Sequence, residues 1–187
     1  MTVKNILKLV SALLNRKDLV RYFENSSCDD YERIKEDVDS LLTSYNVIAD
    51  EVATTYLKLV NSEEFEVQNG RLTYDKFKFS PISILSVKDL KNKDVSCRIL
   101  HTEIKVNIDN VIVEYTYTPN KKGLDDECDF SKTQIKERVL AYGIATEFCL
   151  IKGMYEEGSL WHDKYTEALK NALSNKKSQI IKGRVWW

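Results

Sequence analysis

The apolar positions change period twice along the chain. From Val3 to Leu59 they recur every three or four residues, the spacing of one helix face. Between Glu64 and Pro119 the period is two, and Val111, Val113, Tyr115 and Tyr117 share one side of a strand. From Ile135 onward the helical spacing returns. This order predicts an α+β fold, a helical bundle from N- and C-terminal helices with an inserted antiparallel β sandwich or small barrel. The expected boundaries are 1–62 and 130–187 for the bundle with its C-terminal arm, 63–120 for the β domain, and 121–129 for a linker.

Thr2 is placed to cap a first helix ending near Asn15, with Val3, Ile6, Leu7, Val10, Leu13 and Leu14 on one face. A short second helix carries Leu19, Val20, Tyr22 and Phe23, with Asp18 as its cap. A third, opening at Asp29 or Asp30, holds one stripe from Ile34 to Leu59, about seven turns. Ser44 to Asn46 is where such a long helix would break.

Within the β segment, Asn69-Gly70 between Phe65/Val67 and Leu72/Tyr74 reads as a two-residue hairpin turn. Further strands are expected over Ile82–Val87, Val95–Ile99, Ile104–Ile108 and Val111–Tyr117, the last closing the set. The acidic stretch through Asp125, Asp126, Glu127 and Asp129 lacks the spaced ligands and central glycine of a calcium loop and reads as a solvated linker. Ser131 or Thr133 then caps a fourth helix. Gly153 reads as the residue that ends it. A fifth helix follows from Met154 to Leu173 and packs back as an antiparallel partner.

The last stretch differs from the rest. Ser174 to Trp187 contains Lys176, Lys177, Lys182 and Arg184 and no acid, together with Ile180, Ile181, Val185, Trp186 and Trp187. Two tryptophans are costly to leave in water. They either fold back on the chain's own core or dock on a partner, and basic residues set among apolar ones suit a partly acidic groove.

Composition narrows the function. The chain has 187 residues and a net charge of −1, so no global field favours nucleic acid or membrane. No run approaches the roughly 20 apolar residues of a membrane span, and the N-terminus lacks a signal-peptide pattern. A cytoplasmic protein is expected. Cys28, Cys97, Cys128 and Cys149 form no CxxC pair and read as free thiols, with no metal site expected from them and the histidines. His101 and His162 are the only histidines, and neither has a nucleophile at a matching offset. Glu156 and Glu157 miss the metalloprotease spacing to His162, and the six glycines do not cluster into a phosphate loop. The chain is therefore expected not to be an enzyme, with no catalytic residue, cofactor or metal.

Three stretches carry a resemblance. They are Asn69-Gly70-Arg71-Leu72-Thr73-Tyr74 with Pro81–Val87, the strand Val111 to Pro119, and Ala145–Phe148 through Gly153–Glu157 and Trp161 to Lys182-Gly183-Arg184. With the helix–β–helix order, the chain resembles the head–tail adaptor proteins of tailed phages, of the tail tubular protein A kind. The resemblance implies a structural virion protein, assembled in the host cytoplasm as a twelve-membered ring beneath the portal. Portal and tail proteins are the implied partners, with DNA passing the lumen without sequence specificity. It places the portal-binding arm at Ile180, Ile181, Lys182, Arg184, Val185, Trp186 and Trp187. The alternative expectation is a monomeric cytoplasmic binding module whose β domain holds a peptide or ligand.

Overall fold

Thr2 has extended backbone, and its Oγ1 accepts from Asn5 N at 3.4 Å. It caps α1 (Val3–Leu13) as the sequence predicts. The acidic stretch supplies the partners for the next two amides. Val3 N donates to Asp126 O at 3.0 Å and Lys4 N to Leu124 O at 2.9 Å. The segment expected to be a solvated linker is thus bonded to the start of α1, because the first amides of a helix need acceptors from elsewhere. The side chains of Asp125, Asp126 and Glu127 are nevertheless exposed.

This computed structural model describes residues 1–25 and 31–174. Cys28, the Asp29/Asp30 helix start and the whole C-terminal arm from Asn175 lie outside the described residues. The remaining helices are α2 (Lys17–Asn25), α3 (Tyr31–Glu51), α4 (Glu137–Ile151) and α5 (Tyr155–Ser174). The strands are β1 (Leu59–Glu66), β2 (Arg71–Thr73), β3 (Pro81–Lys88), β4 (Cys97–Ile99), β5 (Glu103–Val106) and β6 (Asn110–Tyr117). Among the described residues no helix is long and apolar enough to cross a membrane. Two compact units result: Met1–Tyr45 with the described residues from Gly123 onward, and Asn46–Lys122.

In the first unit α1 buries Val3, Ile6, Leu7 and Val10 and packs on α2 and α4. Asp18 lies in the first turn of α2, where Arg16 Nη2 reaches its Oδ2 at 2.6 Å. Neither Ser131 nor Thr133 caps α4, which opens only at Glu137 after Lys136 with no side-chain cap. Both hydroxyls are used earlier in the chain: Ser131 Oγ donates to Cys128 O, and Thr133 Oγ1 to Phe130 O at 2.9 Å.

The α4–α5 turn follows the sequence closely. Met154 N donates to Cys149 O at 2.8 Å and Gly153 N to Leu150 O at 3.1 Å, the two bonds of a Schellman motif. Gly153 supplies the left-handed residue, with φ at 74°. The rings of Tyr142 and Trp161 lie 5.7 Å apart, while a Cβ on Gly158 would meet Cys149 and Leu150. The pair is therefore antiparallel. Since no atom lies within 4 Å of a Cβ at Gly153, substitution there tests conformation alone. Gly153→Ala should cost about 1 kcal/mol in urea unfolding, the strain of a left-handed alanine.

The α3 stripe is unbroken at Ser44 to Asn46, but it does not reach Leu59. A π turn, Val52–Tyr56, ends it with Leu57 N on Val52 O at 2.7 Å, and Leu59 begins β1. Leu57, Leu59 and Phe65 are all buried, so an apolar stripe at helical spacing ran on into a strand. Asn46 closes the second unit. Its Nδ2 donates to Lys122 O at 3.2 Å and its Oδ1 accepts from Lys122 N at 2.8 Å.

The second unit has two antiparallel sheets, ordered β1-β6-β3 and β2-β5-β4. Val111–Tyr117 is the last strand in the chain, as expected, and β6 lies at the centre of its sheet, pairing with β1 from Leu59↔Tyr117 to Glu66↔Asn110 and with β3 on its other side. One core lies between the sheets, with Phe65, Val87, Val111 and Val113 from the first and Leu72 and Ile104 from the second. Asn69 and Gly70 take φ of 53° and 71°, and Arg71 N bonds Gln68 O at 3.0 Å, so the turn forms. Its arms do not make the expected hairpin. Val67 N goes to Asp109 O at 2.7 Å, while Arg71–Thr73 pairs with β5. The turn hands the chain from one sheet to the other. Val95 lies before β4, and Ile108 lies after β5.

Candidate functional site

Residues Pro81–Val87 carry no charge. An edge strand of that kind lacks the lysines and inward charges that help block pairing with other chains, leaving Pro81 and any bulge as its guards. In the structure β3 is an edge strand. Its register on β6 slips twice, between Pro81 and Ser83 and between Ile84 and Ser86. The skipped residues are Ile82 and Leu85, left without an opposite residue on β6. A bulge re-aims the extra side chain, and these two are 48% and 47% exposed.

The two sheet edges meet at a corner. Val95 N donates to Val87 O at 2.9 Å, and Lys88 bridges Asp94. Away from it, β3 and the end of β4 border an open cleft of about 850 Å³. Pro81, Ile82, Ser83 and Ile84 line one side. Ile99, Leu100 and His101 line the other, with Ile99 52% exposed. A space of this size falls within the usual range for ligand sites.

The floor of the cleft is fixed. Tyr74 Oη donates to Leu100 O at 2.9 Å, and Tyr74 N to Thr102 O at 3.1 Å. Burial pushes the Tyr74 hydroxyl above its ordinary pKa, which keeps it a donor. Phe77 packs edge-on against both Tyr74 and Tyr115, with centroids at 5.6 and 4.8 Å. The Glu63 carboxylate then holds the loop behind Phe77. It accepts from Tyr115 Oη and Asn61 Nδ2, and from Lys78 N at 3.3 Å. Burial and the Glu63 acceptor both raise the Tyr115 pKa, while Asn61 pulls the other way. Phe79 stacks on Tyr117 at 4.2 Å, and Thr118 N bonds Ser80 O at 3.2 Å.

The cleft therefore combines an organised floor with a half-exposed apolar rim. Its charged chemistry is sparse: among the described residues Asp75 is the only carboxylate of the lining, and no lysine or arginine joins it. His101 sits at the rim just after β4 and is exposed. His162 is exposed on α5 beside Asp163. Cys97, Cys128 and Cys149 are free thiols. Burial raises the pKa of each, opposite to what an activated nucleophile requires. Among the described residues no three His, Cys, Asp or Glu groups come together as a metal site.

The sequence reading named the arm residues Ile180 to Trp187 as the docking site, and these lie outside the described residues. It did not find the cleft. One local signal was available: the apolar parity of Ile82 and Ile84 shifts at Leu85 and Val87, as an inserted bulge residue makes it do. No family model matches the chain, and no curated protein matches it as a relative.

Proposed function

We propose that the chain is a structural assembly protein, a head–tail adaptor that forms a ring beneath a portal and docks through its C-terminal arm. The ring has twelve copies when assembled in the virion, with tail proteins below it and DNA passing the lumen without sequence specificity. One observation carries the reading. A β unit is inserted between helices and clamped where it ends by Asn46, and it presents an uncharged strand edge that suits contact with other polypeptides. Weak single contacts of this kind become strong when a ring repeats them.

A pull-down from a lysate containing portal protein tests the proposal. The full chain should recover the portal, and a chain ending at Asn175 should not. Failure of the full chain to recover it sets the adaptor reading aside. The cleft supports the second reading, a monomeric binding module whose β domain holds a peptide, and that reading would then take its place.

A further inference from the structure

The cleft runs along an open sheet edge. At one end Val95 covers the edge of β3 through Val87 O, whereas the Thr118 N–Ser80 O bond continues the β6 side of the ladder and leaves the outer edge toward Pro81 open. From Pro81 to Ser86 β3 has, among the described residues, a ladder neighbour on one side only, β6. About five residues are open, which is about 16 Å of strand. Ile82 and Ile99 stand half-exposed at the two facing rims, so an incoming strand would meet apolar side chains from both sheets. Strand addition of this type takes affinity from main-chain bonds and specificity from alternate side chains.

The chain itself contains a segment that fits. Residues 175–187 have four cations and no acid, and within them Ile180-Ile181 and Val185-Trp186-Trp187 have high β propensity. Among the described residues the cleft lining offers Asp75 and no lysine or arginine. Thirteen extended residues span at most about 45 Å, enough to leave one molecule and cover the open edge of another.

We infer that the cleft between β3 and β4 receives the C-terminal segment Gln179–Trp187 of a second copy as an added strand. This goes beyond the adaptor reading and rests on it only in treating the tail as a docking segment. The contact is head-to-tail, because the donor and acceptor surfaces differ. Contacts of this class close into rings when their rotation allows.

The test uses only this protein, so it can fail while the portal pull-down succeeds, and the reverse. Sedimentation of the full chain should show concentration-dependent self-association. An excess of a synthetic peptide of residues 178–187 should dissociate it. Ile82→Lys removes the acceptor rim, and Trp186→Ala with Trp187→Ala removes the donor. Ile82→Lys should bind an intact tail, and the double tryptophan variant an intact cleft, at least about thirtyfold more weakly than the native chain, the loss of a central anchor or more. An equimolar mixture of the two variants should still form a one-to-one dimer, since one intact cleft and one intact tail remain. Ile82→Ser is a milder acceptor variant whose circular dichroism should match the native chain, which guards against misfolding. A full chain that stays monomeric at every concentration overturns the inference, including the case where the peptide binds but each tail occupies its own cleft. So does self-association that survives both variants.

Discussion

Phe130→Ala should lower stability by about 3–5 kcal/mol, the usual cost of emptying a fully buried aromatic site. Nothing in the local sequence suggests so large an effect, since Phe130 follows four carboxylates in a stretch without helix or strand. Its side chain is nevertheless completely buried, as is that of Ile135 five residues on, and Cys128 is nearly so. The surrounding backbone is bonded rather than loose. Cys128 N donates to Met1 O at 2.9 Å, and Thr133 N to Phe130 O at 2.9 Å. Thr133 Oγ1 also uses Phe130 O, and accepts from Ile135 N at 3.1 Å. With the backbone held this way, the site cannot readily collapse onto the space that alanine leaves. Phe130→Leu keeps most of the volume and should cost less than about 1.5 kcal/mol. Urea unfolding followed by circular dichroism measures both. A loss below about 1 kcal/mol for the alanine variant would show that this segment is a solvated tether after all.

Phe130 also marks the limit of what the sequence reveals. Elements held by local chemistry were legible. Thr2 caps α1 through a bond three residues away, and Gly153 ends α4 because its left-handed φ suits glycine. The period-two strand at Val111 was legible too, since alternation reports one buried face. Elements held by distant partners were not. The first amides of α1 are satisfied by carbonyls more than a hundred residues on, at Leu124 and Asp126. Leu59 looked helical because a buried position at the right spacing reads the same in either element. Asn69-Gly70 fixed a turn, but which strands flank it is decided by pairing with β5 and β6.

The cleft follows the same division. Its apolar, uncharged strand could be read from Pro81 to Val87. Its edge position, its facing wall at Ile99 and its fixed floor depend on two sheets opening away from the Val87–Val95 corner. Glu63 is the clearest case. It read as nothing in particular, yet its carboxylate joins Asn61, Tyr115 and Lys78 beneath the rim.

Asp37→Ala should cost about 2–3 kcal/mol, and its effect should depend on pH in one direction. Asp37 lies on α3 and is only 5% exposed. Arg16 Nη2 reaches its Oδ2 at 2.5 Å, and Lys152 Nζ its Oδ1 at 2.7 Å. Arg16 also holds Asp18 at 2.6 Å. One carboxylate thus ties α3 to the start of α2 and the end of α4. Losing two charge-assisted bonds and leaving two cations facing each other sets the magnitude, discounted because both cations are partly exposed. Burial alone would raise the Asp37 pKa, but Lys152 and Arg16 outweigh it and hold the carboxyl below its ordinary value. For Asp18 the Arg16 bond is the main cause and lowers it as well, against burial. A carboxylate lowered in the folded state stabilises fully above its unfolded pKa of about 3.9, and that contribution is lost as pH falls through the lower folded value. Urea midpoints should therefore drop as pH falls from about 5 toward 2. Asp37→Asn should start lower at pH 7 and fall less steeply, because one of the depressed carboxylates is gone. Equal slopes for the variant and the native chain would place the acid sensitivity elsewhere and reduce the Arg16–Asp37–Lys152 cluster to a surface contact.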